Sequence, residues 1–143
     1  ETVVILSVDY GDSRTGLAVC DALEMLASPA GVIFETDEEK AADEVVSEAK
    51  KRGAKLIVVG YPKNMDGTLG ARAEKCEGFS KLIAEKSGIE TVLWDERLTT
   101  VAAHNALSTV NVRGKKRKNI VDAVSAVMIL ESYMSYRKNC SEN

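Results

Sequence analysis

Acidic side chains stand at three places where apolar stretches of the sequence begin or end. Asp9 follows the first run of branched apolar residues, and Asp95 and Glu96 follow a later run. Asp122 lies near the start of a long apolar segment. Carboxylates without histidine or thiolate partners are the oxygen ligands that Mg²⁺ and Mn²⁺ prefer. Two such ions can activate a water and neutralise the charge on phosphorus during in-line displacement, so the acids indicate metal-dependent phosphodiester hydrolysis.

Each acid also has an ordinary structural interpretation when it is taken alone. Asp122 can offset a helix dipole, and Asp9 can bond the turn of a hairpin. Asp95 or Glu96 can pair with Arg97 or cap the helix that follows. Together, these interpretations would bring like charges to one sheet edge, where their repulsion costs free energy. A divalent cation removes that repulsion, so we favour the metal site.

Basic residues are concentrated in one short segment of an otherwise acidic chain. The formal net charge is −3, from 19 Lys and Arg against 22 Asp and Glu, so bulk attraction to a phosphate backbone is not expected. Any contact with nucleic acid must then be local; the alternative is a solvated loop of like charges. The residues that we expect to bind phosphates are Arg14, Lys63, Arg72, Arg97, Arg113, Lys115, Lys116, Arg117 and Lys118.

The elements that must position these residues begin with strands and then alternate between helices and strands. Runs of branched residues predict strands over 3–9, 15–21, 30–34, 55–60 and 91–94, the third of them after a break at Pro29. Helical spacing and capping residues predict helices from Thr36 or Asp37 to Gly53, over 71–86, from Thr99 or Thr100 to about 107, and over 118–136. The segment 61–70 is predicted to be a loop.

This order predicts a three-layer α/β fold. Its mixed sheet of five strands is antiparallel at the start and parallel afterwards, with helices on both faces. Ligands of open α/β sheets bind beyond the carboxyl ends of the parallel strands, where Asp9, Asp95 and Glu96 are expected. Asp122 shares one helical stripe with Ala126, so its carboxylate is expected to face the sheet.

Length and composition fit one soluble domain over residues 1–143. The chain is 45% hydrophobic and 29% charged, and it has neither a signal-peptide pattern nor a run of apolar residues long enough to span a membrane. Its three cysteines are widely and irregularly spaced, which argues against a disulfide framework or a zinc site. These features favour a reducing, cytoplasmic location.

Four spaced motifs resemble the YqgF (RuvX) family. They are the segment 9–19 (DYGDSRTGLAV), the segment 60–62 (GYP) with Gly67, the segment 95–100 (DERLTT), and the segment 118–122 (KNIVD) leading into Ala126 and Ile129. The resemblance implies a ribonuclease H-like fold. It also implies either a Holliday junction resolvase or the cytoplasmic nuclease that trims the precursor of 16S ribosomal RNA.

The same resemblance implies the functional residues. It assigns the family's catalytic acids to Asp9, Glu96 and Asp122, with Asp95 able to take the place of Glu96 as a ligand. The last helix has Ser125 where the related RuvC resolvases have a second acid. This departure argues against strong junction resolution and for a weaker second metal site.

Other interpretations remain open. Asp9, Gly11 and Gly16 also resemble the first phosphate loop of actin-like ATPases and sugar kinases, although those proteins need two such lobes to enclose a nucleotide. A non-catalytic nucleic-acid-binding module is the third alternative. The aromatic residues show no surface pattern that would separate RNA from DNA. A junction resolvase would need a symmetric homodimer, whereas a trimming enzyme can act as a monomer. The resemblance leads us to prefer rRNA processing.

Overall fold

The computed structural model describes residues 4–11, 13–21, 26–61, 70–95 and 125–136. In this part of the chain, five strands form one sheet in the order β3-β2-β1-β4-β5. The first three strands pair antiparallel, and the last two join β1 in parallel. The predicted mixed sheet is therefore confirmed. Its strands are β1 (Val4–Asp9), β2 (Arg14–Asp21), β3 (Leu26–Phe34), β4 (Ala54–Tyr61) and β5 (Glu90–Asp95).

Two helices cross between the parallel strands, α1 (Glu38–Arg52) and α2 (Ala71–Ser87). Of the two predicted caps of α1, Asp37 is the one used, because its carboxylate accepts hydrogen bonds from the backbone N–H groups of the first turn. α1 ends at Gly53, whose φ of 71° is a left-handed conformation that glycine adopts without strain. These local signals explain why both ends of α1 could be predicted.

β3 differs from the prediction. It begins at Leu26 rather than at residue 30, and Pro29 lies inside it, so treating this proline as a break was wrong. Pro29 pairs with Ala18 at a shift in register. It is tolerated because β3 is the outer strand of the described sheet, where one edge has no ladder to complete. The predicted helix from Thr99 or Thr100 lies outside the described residues.

Apolar residues from both faces of the sheet form two separate clusters. α1 and α2 cover one face, the front face, with Leu6, Val8 and Phe79 in its core. Helical residues 125–136, the C-terminal helix, cover the back face, where Ile5 and Ile129 are buried. Helices therefore lie on both faces, as predicted. None of the described helices combines the length and the apolar character needed to cross a membrane.

Alternation along β1 decides which side chains can reach a site on either face. Leu6 and Val8 belong to the front cluster, and Ile5 belongs to the back cluster. Since successive strand residues point to opposite faces, Ser7 and Asp9 share the back face with Ile5. The predicted catalytic acid of β1 therefore lies on the side of the C-terminal helix.

Candidate active site

Asp9 ends β1 at the carboxyl edge of the sheet and is bordered by glycine on both sides. Its partner on β2 is Gly16. On β4 its neighbour is Gly60, because Val8 pairs with Val59 and Gly60 follows. Neither neighbour has a side chain that would crowd the partly buried carboxylate. On the back face, the positions beside Asp9 on both neighbouring strands therefore carry no side chain.

Asp95 ends β5 at the same edge, but on the other face. It pairs with Tyr61, which belongs to the front cluster, whereas Trp94 packs against the back cluster. Alternation therefore assigns the Asp95 side chain to the front face, opposite that of Asp9. The shared edge agrees with the sequence analysis, but the register argues against Asp9 and Asp95 holding one metal ion together.

A hydrogen bond from Tyr61 joins the carboxyl end of β4 to α2. The hydroxyl of Tyr61 donates to Oε2 of Glu77 at 3.3 Å. Burial, and then the negative charge of Glu77, raise the pKa of Tyr61 above its ordinary value. The phenol therefore stays protonated throughout the neutral range and remains a hydrogen-bond donor.

The other predicted metal ligands, Glu96 and Asp122, lie outside the described residues, as do most of the predicted phosphate-binding cations. Across the described segments, no three His, Cys, Asp or Glu side chains are grouped closely enough to hold a metal ion. The described part of the candidate site therefore consists of Asp9 and its surroundings. The cations outside the described ranges are Lys63, Arg97, Arg113, Lys115, Lys116, Arg117 and Lys118.

A hydrogen bond from Ser7, two residues before Asp9, joins β1 to the C-terminal helix. The buried Oγ of Ser7 donates to the carbonyl oxygen of Ala126 at 2.6 Å. Further along the helix, the Sδ of Met134 lies 3.2 Å from the Sγ of Cys20, which pairs with Ile5. From residue 125 to residue 136 the helix therefore runs from beside the carboxyl half of β1 back toward its amino end. Sequence reasoning missed Ser7, although a hydroxyl inside a branched apolar run was a usable signal.

The Ser7 hydrogen bond can be tested by its contribution to stability. We expect Ser7→Ala to lower the free energy of unfolding by about 0.5–1.5 kcal/mol, the usual net value of a buried hydrogen bond. Ser80→Ala is the matched control, because the Ser80 Oγ donates to Glu77 within its own helix. Urea unfolding of both variants measures the difference. Equal stability of Ser7→Ala and the unchanged protein would show that this hydrogen bond does not stabilise the fold.

The backbone that follows Asp9 is held by α2. The guanidinium of Arg72, in the first turn of α2, donates from Nη2 to the carbonyl oxygen of Tyr10 at 3.1 Å. The ring of Tyr10 stacks on Phe79 with centroids 3.9 Å apart and planes 11° apart. Arg72 was predicted to bind phosphate, and the structure gives it a structural contact that the sequence did not reveal.

Of the two predicted phosphate-binding residues that the structure describes, Arg14 and Arg72, it is Arg14 that shares a face with Asp9. Leu17 belongs to the front cluster, so alternation along β2 assigns Arg14 and Gly16 to the back face. Opposite Arg14 the turn needs glycine, because a Cβ at Gly11 would lie 2.4 Å from the Arg14 carbonyl oxygen. The hairpin can therefore bring a cation close to the Asp9 carboxylate.

Comparison with protein families gives a match over nearly the whole chain. A family model described as RuvX, Holliday junction resolvase, matches residues 3–136. A relative from Acetivibrio thermocellus is 41% identical over 132 residues, and one from Clostridium beijerinckii is 42% identical over 130. Each alignment covers 91% of this chain and 94% of the relative. The names of both relatives give pre-16S rRNA nuclease as a provisional activity.

Solved structures share the fold at much lower identity. RuvC of Thermus thermophilus, determined with a Holliday junction substrate, superposes with a TM-score of 0.64 at 14% identity and covers 96% of each chain. The fowlpox virus Holliday junction resolvase gives a TM-score of 0.57 at 14% identity and covers 94% of this chain and 99% of its own. The fold is therefore the ribonuclease H-like one that the sequence predicted.

Proposed function

The chain belongs to the RuvX family of Holliday junction resolvases, and from that membership we propose that it is an endonuclease that hydrolyses phosphodiester bonds in structured nucleic acid with a divalent metal ion. The observation that carries this proposal is Asp9, a carboxylate at the carboxyl edge of the sheet with glycine on both sides. The names of the relatives favour the 16S rRNA precursor as substrate, and a branched DNA junction is the alternative. Ribosomal processing would place the protein in the cytoplasm.

The surroundings of Asp9 fit Mg²⁺ or Mn²⁺. The Asp9 carboxylate supplies oxygen donors, which these hard cations prefer, and Gly16 places no side chain beside it. We assign the ligands to Asp9, Glu96 and Asp122. Glu96 is preferred to Asp95 because continued alternation beyond β5 favours the next residue on the Asp9 face. When bound, the metal supplies charge neutralisation at phosphorus and lowers the pKa of an attacking water.

The direction of the C-terminal helix supports the assignment of Asp122. From Ser7 to Asp9 the strand rises by about 6.6 Å toward the carboxyl edge. From Ala126 back to residue 122, a continuous helix would rise by about 6 Å in the same direction. Since Ser7 and Ala126 are in contact, the two acids would end at the same height. We propose that Asp122 faces Asp9 across the space between β1 and the helix.

We propose that positive charge orients the substrate. Arg14 shares the face of Asp9, and the segment 113–118 precedes Asp122 in the sequence. Phosphate contacts of this kind add affinity without reading sequence. They hold the backbone so that the phosphate to be cleaved lies against the carboxylates.

A triple substitution tests the basic segment. We expect Lys115, Lys116 and Arg117 changed together to Ala to weaken nucleic-acid binding and to flatten its salt dependence by up to about three units of slope. The matched control changes Lys50, Lys51 and Arg52, the basic last turn of α1. α1 ends at the opposite edge of the sheet, because Ala54 pairs with Val4. An equal loss of slope in both variants would contradict a local binding site.

The activity itself is tested with two labelled substrates in Mg²⁺ and in Mn²⁺. One is a precursor fragment of 16S rRNA and the other is a four-way DNA junction of similar length. Preferential cleavage of the RNA would support a role in rRNA processing. Paired cuts in the DNA junction would support a role as a junction resolvase. A junction resolvase would also need to be a symmetric dimer, which analytical ultracentrifugation would detect. Binding of both substrates without cleavage of either would leave a non-catalytic binding module.

A further inference from the structure

Three aromatic rings meet on the back face where β5 packs beside the C-terminal helix. The ring centroid of Trp94 lies 5.4 Å from that of Tyr133, nearly perpendicular to it, and 5.2 Å from that of Tyr136. Tyr133 and Tyr136 lie 6.3 Å apart. We call these residues the aromatic cluster. No sequence pattern predicted this cluster, because Trp94 and the two tyrosines come from distant segments of the chain.

The aromatic cluster is ordered and partly open to solvent. The indole Nε1 of Trp94 donates to Oγ of Ser132 at 3.0 Å, which fixes the orientation of the ring. Trp94 and Tyr133 are half-buried, whereas Tyr136 is 53% exposed. A rigid ring that is already in place binds a flat partner with little loss of conformational freedom.

In the strand register, Trp94 shares both the face and the height of Asp9, and the rings of Tyr133 and Tyr136 pack against it from the helix. Gly60 is the neighbour of Asp9 on β4, and it pairs with Trp94 on β5. Two strand spacings separate the backbones of Asp9 and Trp94, a distance of about 10 Å. The position between them is occupied by a glycine. A nucleotide whose phosphate lies at Asp9 could therefore place its own base, or the next one, against Trp94 and the ring of Tyr136 that packs on it.

We propose that the aromatic cluster is a stacking surface for an unpaired base next to the phosphodiester bond that the protein cleaves. The identity of the substrate rests on the proposed nuclease function, but stacking itself does not require cleavage. Aromatic side chains stack on any base, because every base has a π face. In a duplex the bases are already stacked on one another and are unavailable. The cluster therefore selects a single-stranded or bulged segment.

The chain contains a single tryptophan, so its fluorescence reports on this surface alone. Titration with a short single-stranded RNA, in EDTA to prevent cleavage, should quench Trp94. A blunt duplex with the same number of phosphates should quench it much less. A DNA strand of the same sequence is the third titrant and shows whether the sugar matters. Equal quenching by the duplex and the single strand would overturn the proposal.

Substitution of Tyr136 separates stacking from charge. We expect Tyr136→Ala to weaken single-strand binding by about 5-fold to 100-fold, and Tyr136→Phe to retain it, because the aromatic face is what binds. The salt dependence should stay unchanged, since no cation is removed. Tyr136→Phe is therefore the matched control, because it removes only the hydroxyl and keeps the ring.

The outcomes distinguish this proposal from the nuclease proposal. Unchanged single-strand affinity in Tyr136→Ala, or an equal loss in Tyr136→Phe, would overturn the stacking surface whatever the cleavage assay shows. A shift of the monomer–dimer equilibrium in Tyr136→Ala with unchanged affinity would identify the cluster as a self-contact instead. Loss of binding in Tyr136→Ala supports stacking even if the unchanged protein cleaves nothing.

Discussion

Replacing Asp9 with asparagine is expected to reduce metal-dependent cleavage by about 10³-fold or more, because a charged ligand worth several kcal/mol to the transition state becomes neutral. The amide has nearly the shape of the carboxylate, and the neighbouring Gly16 imposes no packing constraint on it. Folding should therefore be preserved. Single-turnover cleavage rates, compared with far-ultraviolet circular dichroism and urea unfolding of the same samples, measure both effects.

The matched control is Asp95→Asn. Asp95 ends a neighbouring strand at the same edge, but alternation assigns it to the front face with Tyr61. We expect its cleavage rate to stay within about 10-fold of the unchanged protein, since general damage to the edge is all that this variant can cause. Equal losses in the two variants would contradict the assignment of the site to the back face. Full activity of Asp9→Asn would refute the metal site itself.

The largest effect on stability is expected at Phe79. This side chain is fully buried in the front cluster and stacks on Tyr10, the residue after Asp9. Phe79→Ala should lower the free energy of unfolding by about 3–5 kcal/mol, because it removes a buried ring and leaves a cavity. Urea unfolding measures the loss as a lower midpoint at an unchanged slope.

Phe34→Ala provides the comparison for Phe79, because Phe34 is 61% exposed at the end of β3. Its change in unfolding free energy should lie within about 0.5 kcal/mol of zero. A similar loss in both variants would mean that the front cluster is not the main source of stability. Since Tyr10 follows Asp9 directly, Phe79→Ala should also weaken cleavage under conditions where the variant is still folded.

Most of the fold was predictable because its signals are local. Asp37 and Gly53 mark the ends of α1 within a few residues of the affected backbone groups. Runs of branched residues mark the strands in the same way. Pro29 misled the prediction because its tolerance depends on where the strand lies in the sheet, and that is set by β1, β4 and β5.

The candidate site was predictable in its position but not in its contacts. Strand order and connection rules bring Asp9 and Asp95 to one edge. Which face each acid occupies depends on register, and a displacement of one residue reverses it. The hydrogen bond of Arg72 to Tyr10 joins residues 62 apart in sequence, and no local pattern encodes it. The roles proposed for Glu96 and Asp122 remain predictions of the sequence and of family membership.

The contact of Ser7 with Ala126 joins residues that are 119 positions apart in the chain. During synthesis, β1 is made 119 residues before the segment that covers its back face. The back layer can close only by long-range docking, which is the slow kind of step in folding. A chain in which the C-terminal helix has not yet been made, or has been removed, would therefore expose Ile5 and Val58. It would also leave the back face beside Asp9 uncovered. Competence to act on nucleic acid would then be acquired only after this helix has been made and has docked.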